Sequence, residues 1–277
     1  CSSPGPKTSL GLHSSMLAGP GWGPRGQTRR MFETHAAEST TAEGRIRLPS
    51  PDEGERDAVW AHLLGMGTAL PQFSVKVSKR HIDAIDLDDI PTHGEAFVVM
   101  VPLLETCLDD NPADVTPQLI AQLAFMAMFP SMPESMALQI AFGRGAGAEN
   151  VREFARLSAR ARHRGVSIDE YVAELVAIDA VPRGKLVRLL HGESRRAPDA
   201  ERIQRGVALL RRAASLVPPV TRPPLLCAIG WLFWARGKRA LAMAYLAEAA
   251  RIEPANVLAY GLTWLVSTKS PRWSIER

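Results

Sequence analysis

Cysteine is scarce in this chain. Three occur, Cys1, Cys107 and Cys227, far apart and odd in number, so neither a disulfide framework nor a paired-cysteine zinc site is supported. Long apolar runs are missing as well. The longest, Leu225 to Ala235, stops at Arg236, well short of the roughly 18 residues that a spanning helix needs. There is also no G-x-S-x-G elbow, no G-K-[ST] phosphate loop and no cysteine set against a histidine in a recognisable pattern, so nucleophilic and nucleotide chemistry have no signature here. These absences leave no ground for naming a catalytic residue or a cofactor.

What is present is ordinary globular composition. The 277 residues are 46% hydrophobic and 22% charged, enough for one large domain or two small ones. The net charge of +4 conceals an asymmetry: residues 1–116 carry 10 Lys and Arg against 16 Asp and Glu, and residues 117–277 carry 23 against 13. Opposite signs in the two halves allow three readings: mutual attraction, an anionic partner for the basic half, or a solvated arginine-rich helical surface. The last is the expectation.

Residues 1–50 are rich in Gly, Pro, Ser and Thr without periodicity, and are read as a disordered or non-native leader. The opening Cys1-Ser2-Ser3-Pro4-Gly5 has the form of a lipidated cysteine followed by a tether, as at the start of a mature bacterial lipoprotein. The alternative, a piece of a longer chain, is preferred. Residues 51–116 are read as a small α/β segment. A short helix from Pro51 would place Val59, Trp60, Leu63 and Leu64 on one face; Phe73 to Val77 alternates as a strand does, and Ala96 to Val101 is a short β-prone run.

After Thr116 the pattern turns helical and stays so. Pro117 to Met128 is apolar nearly all round, as a buried helix is, and Glu134 to Phe142 follows the Pro130–Pro133 break. From Val151 to His163, the residues Val151, Phe154, Leu157, Ser158 and Ala161 share one face, with Arg152, Arg156 and Arg160 opposite. Ser167 and Glu170 form a capping box that opens a helix to about Ala180. Further helices are predicted from Pro182 to His191, ended by Gly192, and from Asp199 to Leu216, ended by Pro218-Pro219.

Residues 222–256 say most. Gly230 and Phe233, Gly237 at a turn, Ala242 and Ala249, and Pro254 fall at tetratricopeptide spacing, with Leu246 where an aromatic is usual. Small residues let two antiparallel helices approach, and Phe233 fills the space between them. The runs Ala208 to Ala214, Pro218-Pro219, Pro224 to Leu226, Trp234 to Gly237, Ala240 to Ala242, Ala249-Ala250, Glu253-Pro254, Leu258-Ala259 and Pro271 to Trp273 together resemble the C-terminal region of an actinobacterial family known only as a domain of unknown function. The resemblance covers about the last eighty residues and, weakly, Leu119 to Ala141. It implies a single tetratricopeptide-like hairpin near the C-terminus and a β-rich N-terminal part, and transfers no site residue.

Three constellations could carry chemistry. Gly143 to Ala148 satisfies G-x-G-x-x-A, but what precedes it reads as a helix, so a flexible helix-to-helix connection is expected rather than a phosphate cradle. His81, Asp83, Asp86, Asp88, Asp89 and His93 offer metal ligands at no recognised spacing, and are read as a solvated acidic turn. The stripe Arg152, Arg156, Arg160, continued by Arg162, His163 and Arg164, could neutralise phosphates, yet Glu149 and Glu153 lie beside it and no aromatics interleave. Trp231, Phe233, Trp234, Tyr245, Tyr260 and Trp264 are read as core and hairpin packing, with some left exposed because a lone hairpin has a face to cover.

The sequence therefore predicts a mainly α protein: a helical domain at 117–277 with a tetratricopeptide-like hairpin, preceded by a small α/β segment. Its expected role is a non-catalytic, cytoplasmic interaction or scaffold module with a protein partner. The alternatives are a nucleic-acid-associated protein using the basic half, and an enzyme whose site lies in the first half around His81 and His93. Metal and cofactor sites are not assigned.

Overall fold

A helix that is apolar on every side has to be covered on every side, and several stretches of this chain impose that condition. The computed structural model describes residues 45–78, 93–129, 131–166, 168–178 and 184–275. In chain order these form α1 (Glu53–Ser78), α2 (His93–Asp109), α3 (Pro117–Ala127), α4 (Met132–Phe142), α5 (Arg144–Arg164), α6 (Ile168–Ala177), α7 (Lys185–Leu190), α8 (Ala200–Leu216), a 3-10 turn (Pro219–Thr221), α9 (Pro223–Ala235), α10 (Arg239–Ile252), α11 (Val257–Thr268) and α12 (Arg272–Ile275). The protein is mainly helical. Among the described residues no strand extends beyond a single bridging residue, Ile46.

Both strand expectations for residues 51–116 are corrected. Phe73 to Val77 continues the backbone of α1, and Ala96 to Val101 lies within α2. Five alternating residues cannot separate the two periods, and a fully buried apolar run reads alike as helix or strand. Val98 to Val101, Leu103 and Leu104 are all buried, so α2 is covered on more than one side. The face expected of the first helix also changes. Val59 and Met66 are buried and Leu63 packs against the core, whereas Leu64 is 81% exposed. Trp60 sits at the edge, its Nε1–H donating to the Leu216 carbonyl at 2.8 Å.

α4 and α9 form the centre. Nearly every residue of α4 is buried, and α9 is buried from Leu225 through Ala235. α9 packs against α10, α4, α8 and α11. It meets α10 across Gly230, where an added Cβ would lie 2.9 Å from Leu246 Cγ and 3.3 Å from the Ala242 carbonyl oxygen. That contact is why a glycine stands in a helix it would otherwise weaken. Gly237, at φ +73°, turns the chain between the two helices, and the rings of Phe233 and Tyr245 meet with centroids 5.3 Å apart. At the other side Phe142, Trp231, Trp234 and Trp273 form one aromatic cluster. Each indole N–H in it is satisfied: Trp231 donates to the Leu190 carbonyl, Trp234 to that of Lys269 and Trp273 to that of Ala235, as burial of indole requires.

The asymmetry of charge resolves in part inside the fold. Arg202 of α8 grips Glu105 of α2 through both Nη atoms, at 3.1 and 2.8 Å, and also donates to the carbonyls of Gln139 and Ile140. Gln139, fully buried in α4, donates to Glu105 and to the Val101 carbonyl, each at 2.8 Å. Arg212 pairs with Glu55 of α1 and donates to the carbonyls of Pro112 and Val115, while Arg205 reaches the Leu108 carbonyl. Arg202 and Arg212 are therefore not the solvated surface that the sequence leads one to expect, while Arg205 keeps its exposure. Each is anchored to the acidic first half, and residues of α1 and α2 share one apolar core with α8 and α9.

Arg202→Met leaves the Glu105 carboxylate without its counter-charge, with Gln139 as its remaining donor, and should cost about 3 kcal/mol of unfolding free energy, read by urea titration with tryptophan fluorescence. Adding Glu105→Gln should recover part of that loss. A double variant less stable than Arg202→Met alone would show that the pair is not the source of the effect.

Candidate interaction faces

The arginine stripe lies where the helical period places it. In α5, Phe154, Leu157 and Ser158 turn inward and Ala161 is buried, while Arg152, Arg156 and Arg160 are exposed on the opposite side. Its charge is partly compensated on the spot. Arg152 donates to Glu149 at 2.6 Å and Arg156 approaches the same carboxylate at 3.9 Å. The hydrogen bond from Arg152, then the charges of Arg152, Arg156 and Lys185, hold Glu149 below the usual carboxylate range. Glu153 moves the other way, raised by burial and by the neighbouring Glu149. Lys185, at the start of α7, thus extends the basic face beyond α5. At the end of α5, Arg164 pairs with Glu174 at 2.8 Å and lies over the Tyr171 ring.

The glycine motif is not a flexible connection of several residues. Gly143 alone, at φ +84°, closes α4 and opens α5, and Gly145 and Gly147 are already helical. A Cβ on Gly147 would lie 2.3 Å from Gln139 Oε1, so this glycine makes room for the buried glutamine. His81, Asp83, Asp86, Asp88 and Asp89 lie outside the described residues, and His93 is the first residue of α2. Ser167 of the expected capping box is outside them too. Among the described residues no three His, Cys, Asp or Glu side chains gather around a common point, and no helix is long and apolar enough to cross a membrane.

Among the described residues, Cys107 and Cys227 are buried thiols. Burial, with Asp110 nearby, pushes Cys107 up to about 12, and burial with the negative charges of Glu134 and Glu253 raises Cys227 as well. Thiols in this state are poor nucleophiles.

Two further features emerge from the fold, one with no signature in the sequence and one that the sequence foreshadows only as some exposed aromatics. The first is Glu134, in the first turn of α4. Its Oε2 is buried with no hydrogen-bond partner among the described residues, and burial lifts its pKa from 4.5 to about 7, opposed by a bond from its own backbone N–H. Glu134 has no spacing signature, because its cost comes from what packs around it. The second is α11. Ala259, Leu262, Leu265 and Val266 turn inward, while Val257, Tyr260 and Trp264 stand 49%, 57% and 42% exposed along the other side. Their spacing of three and four residues puts them in one line. The aromatic set thus divides, with Trp231, Phe233, Trp234 and Tyr245 buried and Tyr260 and Trp264 outside. Asn256 caps α11 by accepting from the Ala259 N–H at 2.7 Å, and Tyr260 Oη donates to the Pro254 carbonyl.

Comparison with protein-family models, curated proteins and solved structures finds no match.

A carboxyl with a native pKa above its unfolded value binds more protons folded than unfolded between the two. The Glu134 contribution to stability therefore falls as pH rises from about 4.5 to about 7. Glu134→Gln should raise the unfolding free energy by about 3 kcal/mol at pH 8 and change it little at pH 4.5. Equal effects at both pH values in thermal melts would refute this assignment.

Proposed function

We propose that this chain is a non-catalytic protein-interaction module of the cytoplasm that engages a polypeptide through the outer face of α11. The observation that carries this reading is the line of Val257, Tyr260 and Trp264, exposed on a helix whose other face is locked into the core. Exposed aromatics in a row lower the cost of desolvation on binding, and Tyr and Trp anchor interfaces at small entropic cost. The tetratricopeptide-like reading of residues 222–256 supports it, because such hairpins stack on further helices and leave the last one open. The resemblance of the C-terminal region to an actinobacterial family belongs to the same proposal, and assigns no activity by itself.

A photo-crosslinking amino acid at Tyr260 of the full chain, activated in cells, should yield covalent adducts with a polypeptide, and the same group at exposed Arg160 should not. Absence of polypeptide adducts at Tyr260 would overturn the reading.

A second reading is favoured by the exposure of Arg152, Arg156 and Arg160 beside Lys185: a nucleic-acid-associated protein contacting phosphates through α5. Binding of mixed-sequence duplex DNA should then weaken steeply with salt, and replacing the three arginines with alanine should flatten the slope of log affinity against log salt by about 0.9 per lost contact. Binding unchanged by those replacements would remove this reading.

A further inference from the structure

We infer that residues 269–275 form a separable strap, and that the socket it fills is a binding site for a polypeptide bearing an indole two residues after a proline. This goes beyond the α11 reading and does not depend on it. Along the strap Pro271 and Trp273 are buried, while Ser270, Arg272 and Ser274 are exposed, so only alternate residues engage the body. Its regular structure is the four residues of α12, too few to hold a helix without a surface to lie on. Two carbonyls of the body receive it. The Arg272 N–H donates to Gly192 and the Trp273 Nε1–H to Ala235, each at 2.8 Å. Ala235 is the last residue of α9, where carbonyls lack partners within the helix.

The walls of the socket are held by contacts outside the strap. Trp231 donates to the Leu190 carbonyl and its ring meets that of Phe142. Arg196 donates to the Phe142 carbonyl at 2.8 Å and lies over the Phe142 ring. The turn at Gly192, φ +68°, is closed by its own bonds, from the Gly192 N–H to Leu189 and from the Glu193 N–H to Arg188. The strap crosses this turn so closely that a Cβ on Gly192 would lie 2.8 Å from Pro271 Cα. Trp273 then meets Phe142 and Trp234, with centroids 5.7 and 6.2 Å away. An indole offers an apolar face to both rings and one N–H to the Ala235 carbonyl, which no other side chain does together. Trp234 alone leans on the strap, donating to the Lys269 carbonyl at 3.1 Å, and this favours the filled socket at rest. The outer ties are exposed: Arg239 donates to the carbonyls of Ser267 and Lys269 and to Ser270 Oγ, and Lys269 meets Glu193 at 3.0 Å. Ties of that kind hold weakly, so the covalent tether supplies much of the occupancy.

The probe is a fluorescein-labelled peptide of residues 268–277, added to the full chain and followed by anisotropy. A Trp273→Ala chain should bind it with a Kd on the order of 50 μM and keep its helical circular dichroism. The native chain should bind it at least tenfold more weakly, because its own strap competes at an effective concentration on the order of 1 mM. The same peptide carrying Trp273→Ala should not bind either chain. Arg239→Ala loosens the strap from outside and removes no buried group. It should tighten peptide binding about threefold over the native chain, and speed hydrogen exchange at the Arg272 amide by a similar factor. Equal peptide binding by the native and Trp273→Ala chains, or binding that survives loss of the indole from the peptide, would overturn the inference. Should Trp273→Ala fail to fold, Arg239→Ala decides: peptide binding and Arg272 exchange like those of the native chain would make the segment an inseparable part of the core.

Discussion

Everything else in this structure follows from the need to bury α9 on all sides. A helix made of Leu225, Leu226, Ile229, Trp231, Leu232, Phe233 and Trp234 has no polar face to give to water, so neighbours have to surround it. α4, α8, α10 and α11 do so, and their own remaining apolar residues recruit α2 and α3 in turn. The close approach at Gly230 and the indole hydrogen bonds of Trp231 and Trp234 then fix how each neighbour sits. Apolar burial supplies the drive, and the few satisfied polar groups select the arrangement.

Arginine has two fates here, and the difference is geometric. On α8 it faces the ends of α1 and α2, where unpaired carbonyls and the carboxylates of Glu55 and Glu105 await a multidentate donor. A planar guanidinium with several N–H groups suits that position better than an ammonium would. On α5 the same residue faces outward, and its nearest counter-charge is Glu149 of its own helix. Arg202 and Arg212 of α8 therefore tie helices together, whereas Arg152, Arg156 and Arg160 of α5 belong to the surface.

Glu134 is a local cost in the interior, one oxygen of its carboxyl buried without a hydrogen-bond partner, as Gln122 Oε1 and Tyr245 Oη are among the described residues. α11 carries a different cost, since its aromatic residues face water.

The sequence by itself determined the helical class, the buried character of α3 and α9, the inward and outward sides of α5, and the turn at Gly237. These follow from periodicity and from residues that permit only one local geometry. It misled at Phe73 to Val77 and Ala96 to Val101, because short runs without a polar face carry no period that separates helix from strand. Only the tertiary structure decided which arginines are consumed internally, why Gly147 is a glycine, that Glu134 Oε2 is buried without a hydrogen-bond partner among the described residues, and that Tyr260 and Trp264 lie outside while Trp231 and Trp234 lie within. An aromatic on an apolar helix can face either way. Which way it faces depends on how many neighbours the helix finds, and that number is set by the whole chain rather than by any segment of it.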